Sequence, residues 1–167
     1  MDSGNFAWSI AATALVLFMT PGVAFFYGGL VKAKSVVSMM MMSFGAMGLI
    51  SVLWILYGFN MSLGGGSLAF AGNPFGPEGQ NFALANLDSA TLIGAAFGAT
   101  FAIITVALIS GAIADRAKFG SWLIFAGLWA TIVYFPVAAW VWGDGWILNF
   151  GGNTGPPSVI DYAGGTA

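Results

Sequence analysis

Three indoles and two carboxylates crowd into the last third of this chain. Trp140, Trp142 and Trp146 stand together in WVWGDGW, with Asp144 among them and Asp161 a short way on. The face of an indole attracts a cation through the ring quadrupole, by roughly 0.5 to 2 kcal/mol depending on how much water is removed. Carboxylates nearby enrich cations at the same place. One of these rings can therefore receive a small cation, although tryptophan also anchors apolar helices at membrane interfaces as a matter of routine. Both uses stay open for each ring.

A second group lies upstream, in LIGAAFGATFAIITVALISGAIADR. Phe97 and Phe101 are four residues apart, so on a helix they share one face. Two stacked phenyl rings can close a narrow passage, or they can simply face lipid. Gly94 and Gly98 have the same spacing, which suits a close approach between two helix backbones.

What is missing bounds the chemistry. The chain has no His and no Cys, which removes thiolate metal sites, disulfides and the side chain that most readily relays protons near neutral pH. No nucleophile–base pair, metal cluster or cofactor loop is present, so neither an enzyme nor a bound cofactor is expected. Only four residues are Lys or Arg, too few for a nucleic-acid-binding patch.

The elements that must hold these residues are membrane helices. Charged residues make up 6% of the 167 and hydrophobic ones 59%, with a mean hydropathy of +0.90; a soluble domain carries about 25% charge. Crossing about 30 Å of hydrocarbon takes roughly 20 apolar residues. Four stretches qualify, at about 6–31, 36–59, 91–114 and 119–142, and a fifth is expected to start near Ser158. The first follows MDSGN, with no basic flank of the signal-peptide kind, and is expected to be retained. Lys32, Lys34, Arg116 and Lys118 all fall in the connections between spans one and two and between spans three and four. The positive-inside rule places those connections in the cytoplasm and the N-terminus outside.

Several motifs have ordinary explanations. The Gly-, Asn- and Pro-rich stretch between Met61 and Ser89 lacks the lysine of a phosphate loop and is expected to be an irregular outer loop. NMS at Asn60 matches a glycosylation sequon but hugs the membrane. Pro21 and Gly22 in span one allow a packing kink or a bend around a pathway. The run SMMMMSF, Ser38 to Phe44, fits flexible packing better than a copper site.

In order, FMTPGVAFFYGGLVKAKS, FGATFAIITVALISGAIADRAKF, WATIVYFPVAAWVWGDG and DYAGGT resemble the N-terminal half of the Amt/Mep/Rh ammonium transporters, on the Amt side. The resemblance covers nearly the whole chain. It implies an all-α polytopic membrane bundle: the first half of about eleven helices built as two five-helix halves of inverted topology, in a homotrimer with one pore per subunit. It implies that Trp142 is the outer aromatic that holds ammonium, that Phe97 and Phe101 belong to an outer phenyl gate with Phe101 the better match, and that Asp161 is the acid just below the recruitment site. Tyr27 and Tyr134 fall in matched blocks and are assigned to packing. A PII-type regulatory protein is implied on the cytoplasmic face, in a cell membrane.

The sequence departs from the family pattern at its imidazoles. The first pore histidine of the family follows shortly after GGT, and another often stands near the end of span four, where this chain reads Ala138-Ala139. The chain is therefore expected to be a fragment, not competent for transport alone. Two other uses remain: the membrane half of an ammonium sensor, and a small four-helix membrane protein with a structural role.

Overall fold

The computed structural model describes residues 3–63, 70–76, 82–150 and 159–167. Four long helices dominate: α1 (Ser3–Leu30), α2 (Ala33–Ser62), α3 (Ser89–Ile113) and α4 (Phe119–Trp142), each long and apolar enough to cross a membrane. They agree with the four hydropathy spans to within a few residues. No strand occurs among the described residues. Such helices are apolar around their whole circumference, which is the pattern of elements surrounded by lipid or by other apolar helices. α1 runs unbroken through Pro21.

α2 is the hub. It packs against α1, α3 and α4, while α1 also lies along α3. The core includes Met39, Met42, Ala46, Ile50 and Trp54 from α2, Ala95, Ala102 and Val106 from α3, and Trp122, Ala126 and Phe135 from α4. Two of the four consecutive methionines, Met39 and Met42, are thus core side chains; Met40 packs over Gly28 of α1. α1 presents Trp8, Leu15, Phe18, Phe25 and Phe26 outward.

One end of the bundle is tightly closed. Tyr27 of α1 lies against Gly111 of α3, where an added Cβ would stand 2.6 Å from its Cζ, and its hydroxyl donates to the Leu108 carbonyl at 3.0 Å. Phe119 of α4 fills the space over Gly45 of α2. The Trp122 indole N–H donates to the Met42 carbonyl at 2.9 Å. Both basic connections, 31–35 and 114–118, lie at this end.

α2 and α4 each contain one wide π turn, at Trp54–Gly58 and Ala130–Tyr134. Such turns insert a residue without breaking the helix and recur near functional sites. The two turns meet. The Tyr57 and Thr131 hydroxyls are 2.9 Å apart, and the buried Phe135 ring lies edge-on to Trp54 and Tyr57, with centroids 5.7 and 6.0 Å away. At Gly58 a Cβ would stand 2.5 Å from Phe135 Cζ, so only glycine leaves room for that ring.

The opposite end carries the long connection between α2 and α3. Its segments 64–69 and 77–81, including Glu78, lie outside the described residues, as does Asp2. The part at 70–76 folds back on α2: the Gly72 N–H donates to Met61 O at 2.9 Å, and Asn60 Nδ2 donates to Pro74 O at 3.2 Å. Asn60 is only 3% exposed, so its sequon has no accessible acceptor. Asp88 caps α3, accepting from the Ala90 N–H at 3.0 Å and from the Thr91 N–H and hydroxyl. The Thr91 hydroxyl foremost, with those backbone donors, holds the Asp88 carboxyl below its ordinary range.

The expected start near Ser158 lies outside the described residues. Residues 159–167 form bends and a turn.

Candidate functional site

The chain folds back sharply at the end of α4, and this fold sorts the three indoles. Gly143 N–H and Gly145 N–H both donate to Ala139 O at 3.1 Å. A Cβ at Gly145 would stand 2.4 Å from the Trp140 Cα, so the return requires glycine. Trp140 then serves the connection between α2 and α3: its Nε1–H donates to Phe70 O at 2.7 Å, and its ring meets Phe70 at 5.5 Å. Trp146 packs between Trp140 and Phe150. Trp142 alone turns the other way, and its Nε1–H donates to Asp161 Oδ2 at 3.1 Å.

Beside that pair is a cavity of about 370 Å³ lined by Gly94, Phe97, Gly98, Phe101, Trp142, Asp161 and Gly164. The four residues to which the resemblance gave roles, Trp142, Asp161, Phe97 and Phe101, therefore border one space, though they come from α3, the end of α4 and the last described segment. Phe97 and Phe101 meet edge-to-face, with centroids 4.9 Å apart and planes at 76°. The walls are almost wholly apolar, and the Asp161 carboxylate is their one charged group.

Asp161 organises its own loop. Its carboxylate accepts from the Thr166 hydroxyl, the Trp142 indole, and the backbone N–H groups of Thr166 and Gly165, and the Thr166 bond foremost keeps it ionised below the ordinary carboxylate range. Gly164 sits at φ +73°, the left-handed region that glycine occupies without strain. The small residues of DYAGGTA thus let five residues wrap around one carboxylate. Asp144 does not line the cavity. It sits at φ 59° in the return turn, where its carbonyl accepts from Asn149 Nδ2 at 2.9 Å.

The two glycines of α3 divide. A Cβ at Gly94 would meet nothing within 4 Å, since that residue opens onto the cavity, whereas a Cβ at Gly98 would lie 2.9 Å from Trp54 Cζ2. Neither takes part in the backbone-to-backbone contact that the spacing suggested; an indole fills that role. The sequence reading missed Trp54. Its N–H donates to Ala95 O at 2.9 Å across the α2–α3 seam. WILYGF reads as uniform apolar helix, and the only available signal was a tryptophan placed well inside a span.

The match to known proteins is extensive. A model of the Ammonium Transporter Family matches residues 7–167. The chain belongs to this family. An ammonium transporter of Mycobacterium tuberculosis (strain ATCC 25618 / H37Rv) is 50% identical over 188 residues, covering 99% of this chain and 39% of that protein. One from Aquifex aeolicus (strain VF5) is 45% identical over 170 residues, covering 99% and 38%. The crystal structure of Saccharomyces cerevisiae Mep2 superposes with a TM-score of 0.79 at 29% identity, over 90% of this chain and 36% of that one. The chain thus has the fold of the N-terminal part of an ammonium transporter and is a multi-pass membrane protein. It spans about two fifths of the length of the curated relatives it matches.

Proposed function

We propose that this chain forms the outer vestibule and gate of an ammonium transporter. One observation carries the reading: Trp142, Asp161, Phe97 and Phe101 border a single apolar cavity with one carboxylate at its rim. The Nε1–H···Asp161 bond holds the indole by its edge and leaves its π face free for a cation. Asp161, kept ionised, adds a negative potential there without needing to touch the ion. The two phenyl rings below offer no oxygen to replace lost water, so a hydrated metal ion gains nothing by advancing. Ammonium differs because it can shed a proton and continue as neutral ammonia, with the proton carried separately. That step needs a proton acceptor, and this chain supplies no imidazole, so the 167 residues do not transport alone. The homotrimer, the cell-membrane location, the outward N-terminus and a PII-type partner at the Lys32–Lys34 and Arg116–Lys118 face belong to the same proposal.

The test is methylammonium uptake by the full-length protein that carries this segment, with Trp142→Leu. A lost cation–π contact of about 0.5 to 2 kcal/mol raises the apparent KM about 2- to 30-fold. An unchanged KM with normal protein levels overturns the proposal.

A further inference from the structure

We infer that Trp54 is a positioning residue for the gate: its indole fixes the turn of α3 that carries Phe97 and Phe101, and registers that turn against α4. The inference rests on the transport reading above and adds a residue that lies behind the cavity wall instead of lining it.

Trp54 is 4% exposed and touches three elements at once. Its Nε1–H reaches Ala95 O at 2.9 Å, one turn before Gly98, and its Cζ2 edge occupies the place where any side chain at residue 98 would begin. Ala95 and Gly98 bracket Phe97, and Phe101 follows one turn later on the same face. The turn bearing the gate rings is therefore held by a hydrogen bond on one side and a van der Waals stop on the other. The Ala95 carbonyl lies within a continuous helix, so the indole bond is a second, directional contact there and specifies position more than it satisfies a polar group.

The indole also packs against Phe135, with ring centroids 5.7 Å apart and planes at 64°. Phe135 directly follows the π turn of α4, two helical turns before Trp142. Trp54 also opens the π turn of α2, and that wide turn is packed against its counterpart around the same phenyl ring. Gate rings on α3 and the cation-receiving indole on α4 barely touch through their own helices. Trp54 and Phe135 supply the packed path between them.

The experiment is a double-mutant cycle on methylammonium uptake in the full-length protein, with rates normalised to protein in the membrane. Gly98→Ala drives a methyl group into the indole and should lower Vmax about tenfold with KM little changed, because displacement of under an ångström is enough to spoil a narrow geometry. Trp54→Phe removes both the benzo edge and the N–H and should lower Vmax about threefold, again with KM held. In the double variant the clash is gone, so Vmax should match Trp54→Phe alone and not fall to about one thirtieth, the product of the two losses. Multiplying effects overturn the inference, since the Gly98 methyl would then act in the cavity itself. So does a Trp54→Phe variant with wild-type Vmax, or one whose change is in KM, which is readable even if Gly98→Ala fails to fold. If Trp142→Leu leaves KM unchanged, the transport reading fails; if only the Trp54 cycle fails, that reading stands.

Discussion

The closed end of the bundle and the cavity end use the same residue types for opposite purposes. At the closed end Trp122 donates to a backbone carbonyl across the α2–α4 seam, Tyr27 does the same across α1 and α3, and glycines at 45 and 111 are covered by rings. At the other end Trp142 donates to a carboxylate that borders open space, and Gly94 is covered by nothing. In a bilayer, where lipid is as apolar as the helices, association depends on close fit and interhelical hydrogen bonds. The closed end supplies that fit, and the cavity end forgoes it. The wall there is made of glycines, the exposed Phe97 ring and the half-buried Phe101 ring, and unfilled volume of this kind costs stability.

This contrast predicts a split between stability and substrate handling. The largest effect should come from Gly111→Leu, which drives a side chain into Tyr27 and breaks its bond to Leu108. Overpacking of this kind should cost about 1 to 3 kcal/mol, read as a lowered unfolding midpoint in detergent, with KM for methylammonium spared in what remains folded. Trp142→Leu should do the reverse, moving KM as given above and leaving the midpoint nearly unchanged. Next, Trp122→Phe removes one interhelical hydrogen bond, worth about 0.6 kcal/mol in membrane proteins, again visible in the midpoint alone. A KM change from either closed-end variant would break the comparison.

The smallest effect is a titration. Asp161 has a folded pKa depressed below its ordinary 3.8. Its contribution to the loop is therefore fully present above that value and fades as pH falls through the lower folded one. In protein labelled with 15N-tryptophan, the Trp142 indole N–H resonance, assigned by its loss in Trp142→Phe, should hold steady through the usual carboxylate range and move only below it.

The architecture was largely legible because hydropathy is a long-range signal. A run of apolar residues some 20 long admits one interpretation, and the four basic residues group the two connections that the structure brings to one end. The cavity residues were legible by type and spacing, since Phe97 and Phe101 share a helix face wherever the helix goes. Which of three indoles faces the cavity was not legible from residue type and spacing; only the family resemblance singled out Trp142. The choice among them depends on the reversal at Gly143–Gly145 and on a loop partner 70 residues away, neither of which leaves a periodic trace. The π turns were hidden for a related reason: WILYG and ATIVY suit an α-turn equally well, and the packing of Phe135 against Gly58 that accompanies the wider turns is a tertiary contact. Asn60 matched a surface motif, yet the return of 70–76 over α2 buries it.

If the proposed function holds, the space beside Trp142 receives ammonium-type cations. The most direct measurement is the same 15N-indole resonance of Trp142, followed in lipid bilayers of the full-length protein while methylammonium is added. A saturable shift of that one resonance is expected, with the Trp140 and Trp146 indole resonances unmoved. A Trp142 resonance that does not respond, or that responds no more than Trp140, would contradict it.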